Sequence, residues 1–263
     1  YSKSERKVSQ QDTEDVFPEY RHFFQADPFL DPAGENAGIL CAGSCDFLYS
    51  GEQDIQGLKR MKYDYAEYEK KLKKYLDKGR YQHTIGVMHT SAALAMAHGY
   101  PLDQALLAGL LHDCAKCIPN KKKLKICKKN GIVLSPVEQE NPFLIHAKLG
   151  VYIAREKYGV VDKEILSAIR WHTTGKGNMS VLEKLVYIAD YIEPGRDKAP
   201  NLEQIRKIAF QDLDECMYYI LRDSVGYLKT SAKVTDPQTE KAFLFYEALH
   251  LERKQKEANA DDK

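Results

Sequence analysis

From Met61 onward, apolar residues recur at three- and four-residue spacing along most of the chain, which predicts helices that each bury one face. Tyr65, Tyr68, Leu72, Tyr75 and Leu76 make the first stripe and predict a helix that ends near Gly79. Arg80 to His98 is the second, with His83, Val87, Ser91 and Leu94 on one face and Gly99 as its stop. Leu102 to Leu111 differs, being apolar or small on nearly every face, as in a helix buried all round. Further helices follow: one from Asn141-Pro142 to Gly159, one capped by Asp162, and one opened by a Ser180/Glu183 capping box and ended by Pro194-Gly195. Two more run roughly from Asn201 to Lys229, with a break, and from Asp236 to Leu251. No stretch alternates convincingly with period two and none repeats. The expected fold is all-α.

Residues 1–60 carry no such pattern. Pro18, Pro28 and Pro32 are mixed with Gly34, Gly38, Gly43 and Gly51, which predicts an irregular or disordered extension with a domain boundary near Met61. The helical domain is expected over residues 61–251, with a charged tail over 252–263. The first residues lack the apolar stretch of a signal peptide, and no apolar run approaches a membrane span.

Composition narrows the function classes. A net charge of +1 gives no electrostatic case for nucleic acid or an anionic membrane. The lysine-rich N-K-K-K-L-K-I-C-K-K run after Pro119 reads first as a solvated helix face, and otherwise as an attractor for a polyanionic substrate. Six cysteines in 263 residues do not resemble a disulfide framework, so reduced thiols in the cytoplasm are expected. Cys114 and Cys117 form a C-x-x-C, but without the strand context of a redox pair or the second pair of a zinc ribbon. Cys41 and Cys45, as C-x-x-x-C, likewise lack a partner pair. Tyrosines between Tyr63 and Tyr75 suit a homodimer interface as well as core packing.

The candidate chemistry begins where the buried helix ends. His112 and Asp113 follow Leu111 with no polar transition, and Lys116 returns to their side three and four residues on. Singly, a core His and Asp satisfy each other more often than they bind anything. Yet His83, His112, His146 and His172 stand on separate predicted helices in apolar settings, and Asp113 and Asp190 are carboxylates in equally apolar ones. Each needs compensation for lost hydration, and one metal-containing site would compensate all of them. Imidazole and carboxylate donors suit iron, manganese, cobalt, nickel or zinc better than calcium.

The order His83, then His112-Asp113, then Asp190 resembles the H…HD…D signature of the HD superfamily of metal-dependent phosphohydrolases. His146 and His172 resemble the additions of its two-metal subset. The segments R-Y-Q-H-T-I-G-V, A-G-L-L-H-D-C-A-K, A-I-R-W-H-T-T-G and I-A-D-Y-I-E-P-G-R are similar to those of the YqeK family, symmetrical bis(5′-nucleosyl)-tetraphosphatases. The resemblance runs from about Met61 to Leu249. It implies an HD-domain helical bundle and two divalent metals, iron foremost, on His83, His112, Asp113, His146, His172 and Asp190. The implied activity is hydrolysis of diadenosine tetraphosphate, or a related dinucleoside polyphosphate, to two nucleoside diphosphates by metal-activated water. In that frame Asp113 and Lys116 are the catalytic candidates. Arg80, Lys116, Thr173, Thr174, Gly175, Lys176 and Arg196 are the substrate-binding ones. Competing readings are another HD phosphohydrolase, acting on guanosine polyphosphates, nucleotides or a cyclic dinucleotide, and a non-catalytic nucleotide-binding sensor. Residues 1–60 have no counterpart in the resemblance.

Overall fold

The structure, a computed structural model, describes residues 63–230 and 236–261. The expectations for residues 1–60, including Cys41 and Cys45, lie outside the described residues. Among the described residues every regular element is a helix.

Local capping explains most of the boundaries. Asp64 accepts from the Glu67 N–H at the start of α1 (Tyr65–Tyr75). Asp77 accepts from the Arg80 N–H and so begins α2 (Lys78–Ala97) before Gly79, which lies in the first turn of α2 rather than ending α1. Pro101 then opens α3 (Leu102–Leu111). Ala105, Leu107, Ala108, Leu110 and Leu111 of α3 are all inaccessible to solvent, as a helix apolar on every face requires.

The helix stops before the histidine–aspartate doublet. Residues 112–117 form tight turns in which Cys114, Lys116 and Ile118 donate N–H to the carbonyls of Leu111, Asp113 and Ala115, three residues back. Then come α4 (Asn120–Lys129) and the short α5 (Pro136–Glu140), which has its own Ser135/Glu138 capping box. Asn141 does not cap a helix as its sequence suggests. Its amide donates back to the Val137 carbonyl, Pro142–Ile145 is a 3-10 turn, and α6 (His146–Tyr158) begins at the histidine itself.

The remaining helices follow the sequence reading closely. α6 ends at Gly159 with φ of +66°, Asp162 caps α7 (Lys163–Trp171), and Ser180/Glu183 caps α8 (Val181–Ile192). The break expected between Asn201 and Lys229 falls after Ala209 and separates α9 (Leu202–Ala209) from α10 (Leu213–Thr230). The last helix, α11 (Pro237–Asp261), continues through the charged stretch beyond Leu251, where Glu, Lys and Ala favour helix and Lys254 pairs with Glu257 at 2.9 Å.

α3 is the axis of the packing. It lies against α2, α7 and α8, while α6, α7 and α8 are sequential neighbours, α10 packs on α8 and α11 packs on α10. Its closest approach is to α2 at Gly109. A Cβ there would stand 2.9 Å from the Met88 Cα and 3.1 Å from the Val87 carbonyl oxygen, so only glycine lets these backbones meet. The ends of α3, α7 and α8 and the start of α6 therefore converge beside α2, and they bring their polar side chains with them.

Candidate metal and phosphate site

Six side chains from five elements meet at that convergence. His83 comes from α2, His112 and Asp113 from the turn after α3, His146 from the first residue of α6, His172 from just beyond α7, and Asp190 from α8. His112, Asp113, His146 and His172 are between 0% and 3% exposed, so hydration cannot supply their partners.

All four imidazoles are oriented alike. Nδ1 of His112 faces the Gly109 carbonyl at 2.7 Å, that of His146 the Phe143 carbonyl at 2.7 Å, and that of His172 the Ile169 carbonyl at 2.8 Å. His83 faces the Glu193 carboxylate at 3.0 Å. These acceptors can only receive a proton, so in the neutral ring Nδ1 carries the hydrogen and Nε2 presents a lone pair. The four Nε2 atoms point inward, the arrangement found when histidines ligate a metal and outer partners fix the tautomer.

The acceptors crowd one another. His83 Nε2 lies 3.0 Å from Asp190 Oδ1 but off the line of a hydrogen bond, and His146 Nε2 lies 3.2 Å from His172 Nε2. The Nε2 atoms of His83 and His112 and Oδ1 of Asp113 are buried without a hydrogen-bond partner. Asp113 reaches both halves: Oδ1 is 3.4 Å from His146 and His172, and Oδ2 is 3.5 Å from His112 and 4.0 Å from His83. Converging lone pairs and anionic oxygens need cations. Two groups, His83–His112–Asp190 and His112–Asp113–His172, each offer ligand atoms within 4.8 Å of one another.

The electrostatics favour the ligand forms of Asp113, Asp190 and His146. Burial opposes the charge on Asp113, but His112, His172 and Lys116 outweigh it and hold the carboxyl well below the usual range. Asp190 is lowered in the same way, burial being outweighed chiefly by His83 and His112. Burial, then the Lys116 cation, pushes His146 well below the ordinary histidine value and keeps it neutral. His112 is raised, because Asp113 outweighs its burial.

Comparison with known proteins shows the family of the chain. The HD domain model matches residues 80–195, which span all six side chains. The symmetrical bis(5′-nucleosyl)-tetraphosphatase of Bacillus subtilis (strain 168) is 36% identical over 178 residues, covering 68% of this chain and 93% of the relative. The chain belongs to the HD-domain family. The corresponding enzyme of Halalkalibacterium halodurans is 37% identical over 183 residues, covering 70% of this chain and 95% of that one. Among solved structures, a predicted HD superfamily hydrolase involved in NAD metabolism from Clostridium acetobutylicum matches with a TM-score of 0.68 at 34% identity. It covers 71% of this chain and 98% of that structure.

Around the HD-domain cluster, the other predicted residues divide. Lys116 Nζ lies 3.0 Å from His146 Nε2, and the Thr173 hydroxyl lies 3.0 Å from both His146 and His172. Arg80 donates to Asp113 Oδ2 at 2.8 Å and Arg196 to Asp190 Oδ1 at 2.6 Å, both from partly exposed positions at the rim. Thr174, Gly175 and Lys176 are engaged elsewhere. Thr174 donates to the Gly175 carbonyl, Gly175 packs against Tyr187 and Ala242 with φ of +65°, and Lys176 pairs with the buried Glu183 at 3.0 Å. Cys114 and Cys117 also diverge, the first thiol donating to the Gly150 carbonyl and the second to Asp77. Gly150 lets α6 and α7 pack closely: a Cβ there would be 3.1 Å from Ile169 Cγ2. His98 and His250 lie on other contacts, the Ala209 carbonyl and the Tyr218 ring. Sequence reading missed Glu193, whose only signal is its place three residues after Asp190 in I-E-P-G-R.

Proposed function

We propose that this HD-domain protein cleaves diadenosine tetraphosphate symmetrically, to two ADP, with two divalent metals, iron foremost. The observation that carries the reading is the convergence of four Nε2 lone pairs and two carboxylates on one buried point, with every Nδ1 held from behind. The names of the Bacillus and Halalkalibacterium relatives supply the substrate class. His83, His112 and Asp190 would hold one metal and His146 and His172 the other, with Asp113 beside both groups. When bound, such a pair neutralises phosphoryl oxygens and makes water a competent nucleophile at neutral pH.

The chain's own groups do the rest. Cleavage adds the water oxygen to one central phosphorus and breaks the bridging P–O bond, and charge grows on the departing phosphate. Lys116, with a third of its side chain exposed and its ammonium beside His146, is placed to donate to that oxygen. Arg80 spends one guanidinium nitrogen on Asp113, and Arg196 spends Nη2 on the Asp190 carboxylate and Nε on the Asp190 carbonyl, so each keeps a further donor for clamping a polyphosphate at the rim. The Thr173 hydroxyl can orient a nucleophile or a phosphoryl oxygen from the other side.

Product analysis tests the reading. The protein, purified without oxygen or chelators, is incubated with diadenosine tetraphosphate and ferrous or manganous ion, with His112→Ala as control. Two ADP that vanish in the variant are expected. ATP plus AMP would reject symmetrical cleavage. No cleavage despite bound metal would favour another phosphohydrolase substrate, and no cleavage without metal a nucleotide sensor.

A further inference from the structure

Glu193 sits immediately past the last residue of α8 and is 4% exposed. Both of its carboxylate oxygens are committed as acceptors. Oε1 is 3.0 Å from His83 Nδ1, and Oε2 takes the Gly195 N–H at 2.6 Å. Two glycines make room for it: a Cβ on Gly86 would stand 2.5 Å from Oε2, and one on Gly195 2.9 Å from Oε1. The turn that carries it is latched from α9. Arg206 donates from Nε to the Ile192 carbonyl at 2.9 Å, and from Nη2 to those of Glu193 at 3.1 Å and Arg196 at 2.9 Å.

A third carboxylate beside Asp190 and Asp113 is costly unless positive charge accumulates there. The cation nearest to it is Arg196, whose Nε stands 4.0 Å from Oε1 at the partly exposed rim. The one group Glu193 serves on the inner side is His83, and only through Nδ1. We infer that Glu193 is a positioning residue that fixes the His83 tautomer, raises the basicity of Nε2, and so sets the metal affinity of the His83–His112–Asp190 group. Gly86 and Gly195 are small because this carboxylate occupies their side-chain space. The inference rests on the two-metal reading above. Because both oxygens accept, glutamine is not a neutral replacement: its amide would satisfy one N–H and oppose the other.

The test compares wild type, Glu193→Gln, Gly86→Ala and the double variant by manganous-ion titration against a competing chelator. Electron paramagnetic resonance of the loaded proteins and thermal unfolding of the metal-free ones complete it. Wild type is expected to bind two ions with a spin-coupled signal. Glu193→Gln is expected to unfold cooperatively, retain one ion tightly and hold the other about 10–100-fold more weakly, with an isolated-ion signal. Gly86→Ala should show the same loss by displacing the carboxylate, and the double variant should be little worse than either. Two ions bound by Glu193→Gln within twofold of wild-type affinity, or fully additive losses in the double variant, would overturn the role of Glu193. A wild type that binds no metal would overturn the two-metal reading and this inference with it.

Discussion

His146 and His172 present their Nε2 atoms to each other across 3.2 Å, each ring having committed Nδ1 to a backbone carbonyl three residues earlier. Two neutral imidazoles held this way offer lone pair to lone pair, and the nearby Asp113 Oδ1 adds negative charge. A divalent cation relieves that repulsion, so metal and fold stabilise each other. At free metal about 100-fold above its dissociation constant, linkage contributes roughly 2.7 kcal/mol per site, or about 5–10 °C in Tm for a domain of this size. Exhaustive chelation is expected to lower the Tm by about that amount for each metal removed, and manganous ion to restore it. An unchanged Tm in a protein shown to have lost its metal would break the argument.

Lys116 separates chemistry from metal binding. Its ammonium is 3.0 Å from His146 and 3.9 Å from Asp113, yet it can ligate nothing, because a lysine ammonium only donates. Lys116→Met is expected to keep the metal stoichiometry while kcat falls about 100-fold or more, the scale seen on removing a donor to developing negative charge. If the variant instead lost metal while turnover per metal stayed normal, Lys116 would be a support for the histidines.

The α2–α3 contact sets how closely the histidine–aspartate turn approaches His83. At Gly109 an added methyl would meet the Met88 Cα and the Ser91 Oγ, both at 2.9 Å. Ser91 can be trimmed but the backbone at Met88 cannot move aside easily. Gly109→Ala should therefore cost about 1–3 kcal/mol, which Ser91→Ala relieves only in part. Thermal unfolding of the two single variants and the double variant measures this. Full rescue by Ser91→Ala would mean that the backbones are not in tight contact.

The cluster was legible because its histidines and aspartates stand in or beside apolar stretches, and a buried charge has few explanations. The stop signal at Gly159 and the start signals at Asp162 and Ser180 act locally and appear where expected. The sequence hid three things for physical reasons. No glycine or proline stands between Leu111 and Pro119, so nothing marks the tight turns that lift Asp113 out of helical register. An acid before Pro194-Gly195 reads as a solvated turn, and Glu193 is buried only because distant Gly86 and Arg206 make its pocket. Thr174-Gly175-Lys176 looks like a phosphate loop until α8 and α11 pack against it and Glu183 takes the lysine.

The two thiols of the C-x-x-C face different partners. Cys114 is buried, its thiol pushed up by burial and then by Asp113, and it faces Gly150. Cys117 is partly exposed, is also raised by burial, and faces Asp77. Mild alkylation near neutral pH is expected to label Cys117 ahead of Cys114, Cys127 and Cys216, which are buried. Peptide mapping after gentle oxidation would show otherwise if a Cys114–Cys117 disulfide formed.

Lys123 supplies a pH dependence away from the metal ligands. It is buried on α4 with its ammonium 3.4 Å from the Asn120 side-chain oxygen. Burial, then the positive charge of Lys116, lowers its pKa from the ordinary 10.5, and Asp113 only partly offsets them. A lysine with a depressed native pKa binds protons less readily in the folded chain than in the unfolded one, so stability rises with pH between the two values. The penalty is fully present below the folded pKa and disappears as pH climbs through about 10.5. Lys123→Met keeps the length of the side chain and removes the charge. In metal-free protein it is therefore expected to raise the Tm near neutral pH, with a gain that shrinks steadily toward pH 10. A gain that stayed constant with pH would assign the effect to packing. A loss at neutral pH would mean that the folded chain favours this charge, as a lysine built to meet a phosphate would require.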